Sequence, residues 1–117
     1  MTAAYEHFQE GPGRLRAGMA AQATVSFEKA RRLEPAKASV REALGIAYLR
    51  LGRWDAAEAE FHAILELSPT DDYAHYALGR ALEQQGRVAE ANGHYKLASS
   101  MAPATGHYAA RIRDLDL

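Results

Sequence analysis

The chain has 117 residues, 48% of them apolar and 25% charged, with a net charge of −1. That balance fits one globular domain, and the absence of cysteine excludes disulfides and thiolate chemistry. No apolar run approaches the ~18 residues of a membrane span, and the N-terminus MTAAYEHFQEGPG lacks the basic and apolar regions of a secretion signal. A cytoplasmic protein without a membrane partner is therefore expected. Charge is uneven: residues 14–53 carry nine basic side chains against three acidic, and residues 54–117 carry five against ten. A solvated mixed-charge surface accounts for this, and head-to-tail self-association through opposed ends is the sharper alternative.

Taken in order, residues 1–13 show Tyr5 and Phe8 at helical spacing, then Gly11-Pro12-Gly13. Proline and glycine disfavour a helix running unbroken through that point, so either a short helix starts with Pro12 in its first turn or the segment kinks. Ala20, Ala23, Phe27, Ala30 and Leu33 recur at spacings of three and four, and Pro35 stops that helix. Ser39-Val40-Arg41-Glu42 fits a capping box for a helix over 39–51, with Val40, Leu44, Ala47, Tyr48 and Leu51 inward. Gly52 ends it. The next helix starts near Trp54, with Asp55 and Glu58 against its positive end and Ala57, Phe61, Ile64, Leu65 and Leu67 as its stripe. Thr70-Asp71-Asp72 caps a helix carrying Tyr73, Ala77, Leu78, Ala81 and Leu82, which ends before Gly86. Its partner runs from about Val88 to Met101, with Ala91, Tyr95 and Ala98 inward, and Pro103 stops it. Tyr108, Ile112 and Leu115 suit a short terminal amphipathic helix. No stretch alternates with period two, so seven helices with short connections and antiparallel neighbours are expected.

The pattern repeats every 34 residues: Gly11, Gly45 and Gly79; Gly18, Gly52 and Gly86; Ala23, Ala57 and Ala91; Phe27, Phe61 and Tyr95; Pro35, Pro69 and Pro103. A period of that size marks stacked helical hairpins that bury a continuous core together. Gly45 and Gly79 fall mid-helix, where glycine is costly, so close helix approach explains them, with Ala57 and Ala91 as the expected counterparts. Phe61 and Tyr95 are expected to fill the space between hairpins, and Gly52 and Gly86 to permit tight turns.

Leu44-Gly45, Tyr48, Gly52, Trp54, Ala57, Phe61 and Pro69, then Leu78-Gly79, Leu82, Gly86, Ala91, Tyr95, Ala98 and Pro103, resemble the tetratricopeptide repeat pattern. The first copy is weaker, with Glu10 for leucine, Arg14 for an aromatic or leucine, and Pro12 inside its helix. The resemblance implies an all-α fold: an α-solenoid of three stacked antiparallel helical hairpins in a right-handed superhelix, with a terminal capping helix. The whole chain, 1–117, is then one repeat domain, with repeats at about 4–37, 38–71 and 72–105 and a cap at 106–117. It also implies a concave groove that binds a protein or peptide. The groove positions are Phe8, Leu15 and Arg16 in the first repeat, Ser39, Glu42, Ala43, Ile46, Leu49 and Arg50 in the second, and Tyr73, Tyr76, Ala77, Arg80, Glu83 and Gln84 in the third. Some members of that family grip a C-terminal carboxylate with lysine, asparagine and arginine. The matching positions here are Pro12, Ala43, Tyr73 and Ala77, so that clamp is absent. Of the groove set, Arg16, Glu42, Ile46, Leu49, Arg50, Tyr73, Tyr76, Arg80 and Glu83 are the expected partner-binding residues. Their mixture of aromatic, aliphatic and arginine side chains suits an amphipathic helix or extended peptide of some acidic character.

Other chemistry finds little footing. The histidines lack the i, i+4 spacing of a helical metal site and there is no HExxH, so neither metal nor cofactor is expected. Glu58, Glu60, Asp71 and Asp72 suit caps and solvated faces better than a paired acid and base. Gly11-Pro12-Gly13 follows no strand and lacks a phosphate-loop lysine, and Lys29-Ala30-Arg31-Arg32 is too short a basic stretch for nucleic acid. An adaptor or scaffold, and not an enzyme, is the function expected. The alternative is a module that forms a homo-oligomer through the irregular N-terminal segment or the C-terminal cap.

Overall fold

The computed structural model describes residues 14–114, with side chains from Gly18 onward. Six helices follow one another: α1 Arg14–Leu33, α2 Ala38–Arg50, α3 Trp54–Leu67, α4 Asp72–Gln84, α5 Val88–Met101 and α6 Gly106–Ala110. There is no strand among the described residues. Each helix packs on the next in the chain, so α2–α3 and α4–α5 form successive hairpins flanked by α1 and α6. This is the α-solenoid expected from the 34-residue period.

Two kinds of connection alternate. After α2 and α4 the chain turns on a glycine in the left-handed region, Gly52 at φ 74° and Gly86 at φ 80°. The Arg53 amide then donates back to the Tyr48 carbonyl at 2.9 Å, and the Arg87 amide to Leu82 at 3.0 Å. These bonds close a Schellman motif and satisfy carbonyls that the helix end leaves open. After α1, α3 and α5 a proline follows the last helical turn, and an i to i+3 bond closes the connection: Lys37 to Glu34, Asp71 to Ser68 and Thr105 to Ala102, at 3.0–3.1 Å. Proline suits the second position of such a turn because its φ is already set.

α2 is buried on nearly every side, through Val40, Ala43, Leu44, Gly45, Ile46, Ala47 and Tyr48. A helix apolar around most of its girth belongs inside a fold. The rings of Phe61 and Tyr95 are 0% and 1% exposed. A Cβ on Gly45 would lie 2.6 Å from Phe61 Cζ, and one on Gly79 would lie 2.5 Å from Tyr95 Cε1. The glycines therefore make room for aromatic rings of the partner helix in the same hairpin. Ala57 and Ala91 are buried but are not what the glycines accommodate.

Several local expectations change. α2 begins at Ala38 after Lys37, with no side-chain cap bond, so Ser39 lies inside the helix and the capping box is not formed. By contrast Asp71 caps α4, its Oδ1 accepting from the Ala74 amide at 3.0 Å. The helix expected from residue 20 reaches back to Arg14 and runs straight through Gly18. At Gly18 the sequence continues with Met19-Ala20-Ala21, good helix formers, where the Gly52 turn is followed by Arg53-Trp54-Asp55 and a fresh acidic start. Leu33 and Leu67 are 75% and 50% exposed. Each lies six residues past a buried phenylalanine, about 240° round the helix and off its inner face. α6 stops at Ala110, so Ile112 packs on the core from the segment beyond it, and Leu115 lies outside the described residues. So do Tyr5, Phe8, Gly11 and Pro12.

Candidate functional site

Between α2 and α4 lies a pocket of about 290 Å³, lined by Ile46, Leu49, Arg50, Trp54, Tyr73, Arg80 and Gln84. Helix periodicity assembles it. Ile46, Leu49 and Arg50 are neighbours on one face of α2, and Arg80 and Gln84 stand one turn apart on α4. Tyr73, in the first turn of α4, is held edge-on against buried Phe61, ring centroids 6.2 Å apart. Ile46, Leu49, Arg50, Tyr73 and Arg80 are thus brought together as the repeat register implies.

Trp54 was not among the expected contacts. It opens α3 directly after the Gly52 turn, and its ring lies over that turn, 3.6 Å from where a Cβ on Gly52 would be. Its signal was its place: an aromatic immediately after a hairpin turn at the mouth of the groove. Glu42, one turn before Ile46, is not part of the pocket lining. Arg16 lies in the first turn of α1, and its side chain is outside the described set, as is that of Leu15.

Tyr76 and Glu83 have internal roles. The Tyr76 ring lies tilted against Tyr108 at 4.8 Å and meets His107 edge-on at 5.1 Å, joining α6 to α4. Glu83 accepts from Tyr95 Oη at 2.7 Å and from Arg113 Nε at 2.9 Å. Burial pushes its carboxyl up, but those two bonds and the charges of Arg113 and Arg111 outweigh it and hold the group below its usual value. Buried Asn92 clasps the Arg113 backbone, its Nδ2 donating to the Arg113 carbonyl at 2.7 Å and its Oδ1 accepting from the Arg113 amide at 2.9 Å. Glu83 thus anchors the segment after α6.

Among the described residues, the charged lining of the pocket consists of Arg50 and Arg80. Arg80 Nη1 donates to Tyr76 Oη at 3.2 Å, and its guanidinium lies 6.0 Å from the Tyr76 ring. Arg80 Nε is buried without a hydrogen-bond partner among the described residues. A buried donor left open costs about 1–3 kcal/mol.

Three clusters away from the pocket escaped the sequence. Glu60 is 3% exposed and is paired with Arg31 of α1 and, at 3.1 Å, with Arg41 of α2, so it is not the solvated residue expected. Glu58 likewise joins α3 to the next hairpin turn, through Arg87 at 3.0 Å and Gln85 at 2.9 Å. His75 and His94 face each other, Nδ1 to Nδ1 at 3.0 Å, and His75 Nε2 lies 2.9 Å from the Pro69 carbonyl. Because that carbonyl can only accept, His75 carries its proton on Nε2, and His94 Nδ1 donates to His75 Nδ1. His62 stands edge-on to His94 with centroids 6.4 Å apart. No group of three or more ligand-type side chains among the described residues is arranged to hold a metal, and no helix there is long and apolar enough to cross a membrane.

Stacked helical hairpins with a side-chain-lined groove between their first helices define an α-repeat interaction fold. A tetratricopeptide repeat profile matches residues 42–104, more than half the chain, and a second one matches residues 14–66. The chain belongs to the tetratricopeptide repeat family, whose members are in general protein–protein interaction modules. Among solved structures, a protein described as MamA MSR-1 C2 superposes with a TM-score of 0.74 at 26% identity, over 84% of this chain and 56% of that one. TTC0263, a thermophilic repeat protein of Thermus thermophilus, gives a TM-score of 0.71 at 28% identity, over 90% and 56%. The first repeat domain of Spaghetti (RPAP3), bound to the HSP90 peptide SRMEEVD, gives 0.78 at 19% identity, over 85% and 79%. The chain spans 56% of the length of the first two.

Proposed function

We propose that the chain is an adaptor or scaffold that performs no chemistry and receives a peptide or partner helix in the groove between α2 and α4. The observation that carries this is the pocket itself. Apolar surface from Ile46, Leu49, Trp54 and Tyr73 lies beside Arg50 of α2 and Arg80 and Gln84 of α4. Aromatic and arginine side chains beside partly covered aliphatics are the types that anchor protein contacts, and a groove between two helices is a standard seat for a helix or an extended chain. The peptide-bound neighbour supports the reading only in showing that the architecture takes a peptide, since the residues of a terminal-carboxylate clamp are absent here. A cytoplasmic setting, expected from the sequence by default, belongs to the same proposal.

The test is a peptide-library selection on the purified chain. Enriched peptides should bind the wild type and fail on Leu49→Arg and Tyr73→Ala, both with unchanged helical circular dichroism. Failure to enrich any peptide, or binders indifferent to both substitutions, would refute the proposal.

A further inference from the structure

We infer that the groove selects an internal acidic side chain flanked by an aromatic or large aliphatic one, with Arg80 as the carboxylate anchor; this rests on the groove-binding reading above. Three observations converge. Among the described residues, both charged groups lining the pocket are arginines, one from each of two facing helices, and no carboxylate lines it. Among the described residues, the Arg80 guanidinium makes one hydrogen bond, to Tyr76 Oη, and its Nε is buried without a partner. A guanidinium has five donors in a rigid fork that matches a carboxylate. Rotating the Arg80 side chain toward the pocket therefore exchanges an open donor and a 3.2 Å bond for a two-pronged, charge-assisted one. Arg50, at the end of α2, adds positive charge from the opposite wall.

The pocket volume of about 290 Å³ exceeds what one carboxylate needs. The remaining wall is Ile46, Leu49, Trp54 and Tyr73, which takes an apolar side chain beside the acid. A chain end is disfavoured as the source of the carboxylate. Ala43, Tyr73 and Ala77 occupy the positions where family receptors carry the donors for a terminal group, and the pocket lining adds a single side-chain amide, Gln84.

The probe is a fluorescein-labelled peptide of flexible polar residues around a central Asp-Phe-Asp-Leu, acetylated and amidated at its ends, read by fluorescence anisotropy on the full chain. Its isosteric Asn-Phe-Asn-Leu counterpart should bind about tenfold or more weakly. Arg80→Lys, which keeps the charge but loses the fork, should lose most of that preference. Arg50→Gln should weaken binding less and flatten the salt dependence. A third peptide, ending in the same residues with a free carboxylate, should gain nothing.

Equal affinity for the acid and amide peptides overturns the carboxylate inference and leaves the groove reading standing. Binding unaltered in Arg80→Lys, Arg80→Gln and Arg50→Gln overturns the assignment to these residues. Tighter binding of the free-ended peptide overturns the internal source. Absence of binding by every probe overturns the inference as a whole, and the groove reading falls with it only if the library selection also fails.

Discussion

Replacing Gly79 by alanine sets two effects against each other, and the structure says which wins. Alanine in a helix interior is favoured over glycine by about 1 kcal/mol. The added Cβ, however, would lie 2.5 Å from Cε1, 2.7 Å from Cδ1 and 3.0 Å from Cζ of Tyr95, where carbon contacts normally settle near about 3.5–4.0 Å. The ring has to retreat by about 1 Å, yet it is 1% exposed and its hydroxyl is tied to Glu83 at 2.7 Å. Overpacking costs about 1–3 kcal/mol, and stretching a hydrogen bond to a carboxylate adds to it. The net expectation is a loss of about 2 kcal/mol, or about 8 °C in midpoint. Gly93→Ala is the internal control: the glycine is mid-helix with nothing within 4 Å of its Cβ position, so it should gain about 0.5–1 kcal/mol. Gly86→Ala should lose about 1–2 kcal/mol for a different reason, its φ of 80°. Urea and thermal unfolding of the three variants measure this directly. Adding Tyr95→Leu to Gly79→Ala should recover at least about 1 kcal/mol of coupling. A Gly79→Ala protein as stable as Gly93→Ala would show that the close approach is not what the glycine is for.

The remaining predictions follow from the polar clusters. Glu60→Gln should cost about 2–3 kcal/mol in urea unfolding. Its side chain is 4% exposed between Arg31 and Arg41, although those arginines, at 30% and 21% exposed, keep some water; a loss under about 0.5 kcal/mol, the level of a surface pair, would refute the role given to it. The histidine pair predicts acid sensitivity. Burial, then the charges of His75 on α4 and His62 on α3, hold His94 below the value of 6.5 against the pull of Glu90, so the unfolded chain takes up the proton first. The stabilisation is whole above about pH 6.5 and is lost as pH falls through the lowered value. His94→Gln should flatten the stability profile below about pH 6.5; an unchanged slope there would show that His94 does not titrate with folding.

What was legible in the sequence is what repeats. Gly52 and Gly86 recur because a Schellman turn needs a residue that tolerates positive φ, and both adopt it. Phe61 and Tyr95 recur because each fills the gap left by a glycine on the partner helix. Contacts made once, between residues without a periodic counterpart, carried no such mark. Glu60 is one: the matching positions are Ser26 and His94, so nothing in the pattern distinguished a buried acid with two arginines from a solvated one. The histidine pair is another, because His75 and His94 stand at different positions of the repeat and meet only through the packing of α4 on α5. Gly18 shows the converse. It keeps the repeat spacing and still lies inside α1, because a turn needs a stop signal and a fresh acidic start as well as a permissive residue.

The same distinction bears on the groove. Repeat register was enough to place Ile46, Leu49, Arg50, Tyr73 and Arg80 around one pocket, because helical periodicity alone determines which positions of α2 and α4 face each other. It could not say which of the expected contacts the protein needs for itself. Tyr76 is used by α6 and Glu83 by Tyr95 and Arg113. That assignment removes an acidic side chain from the proposed binding surface and leaves its charge to the two arginines. The specificity proposed for the groove therefore rests as much on where Glu83 is committed as on where Arg80 stands. Releasing Glu83 by Tyr95→Phe together with Arg113→Ala should weaken the acidic probe while leaving the amide peptide's affinity unchanged. Equal weakening of both would mean that the loss comes from distortion of α4 and not from charge.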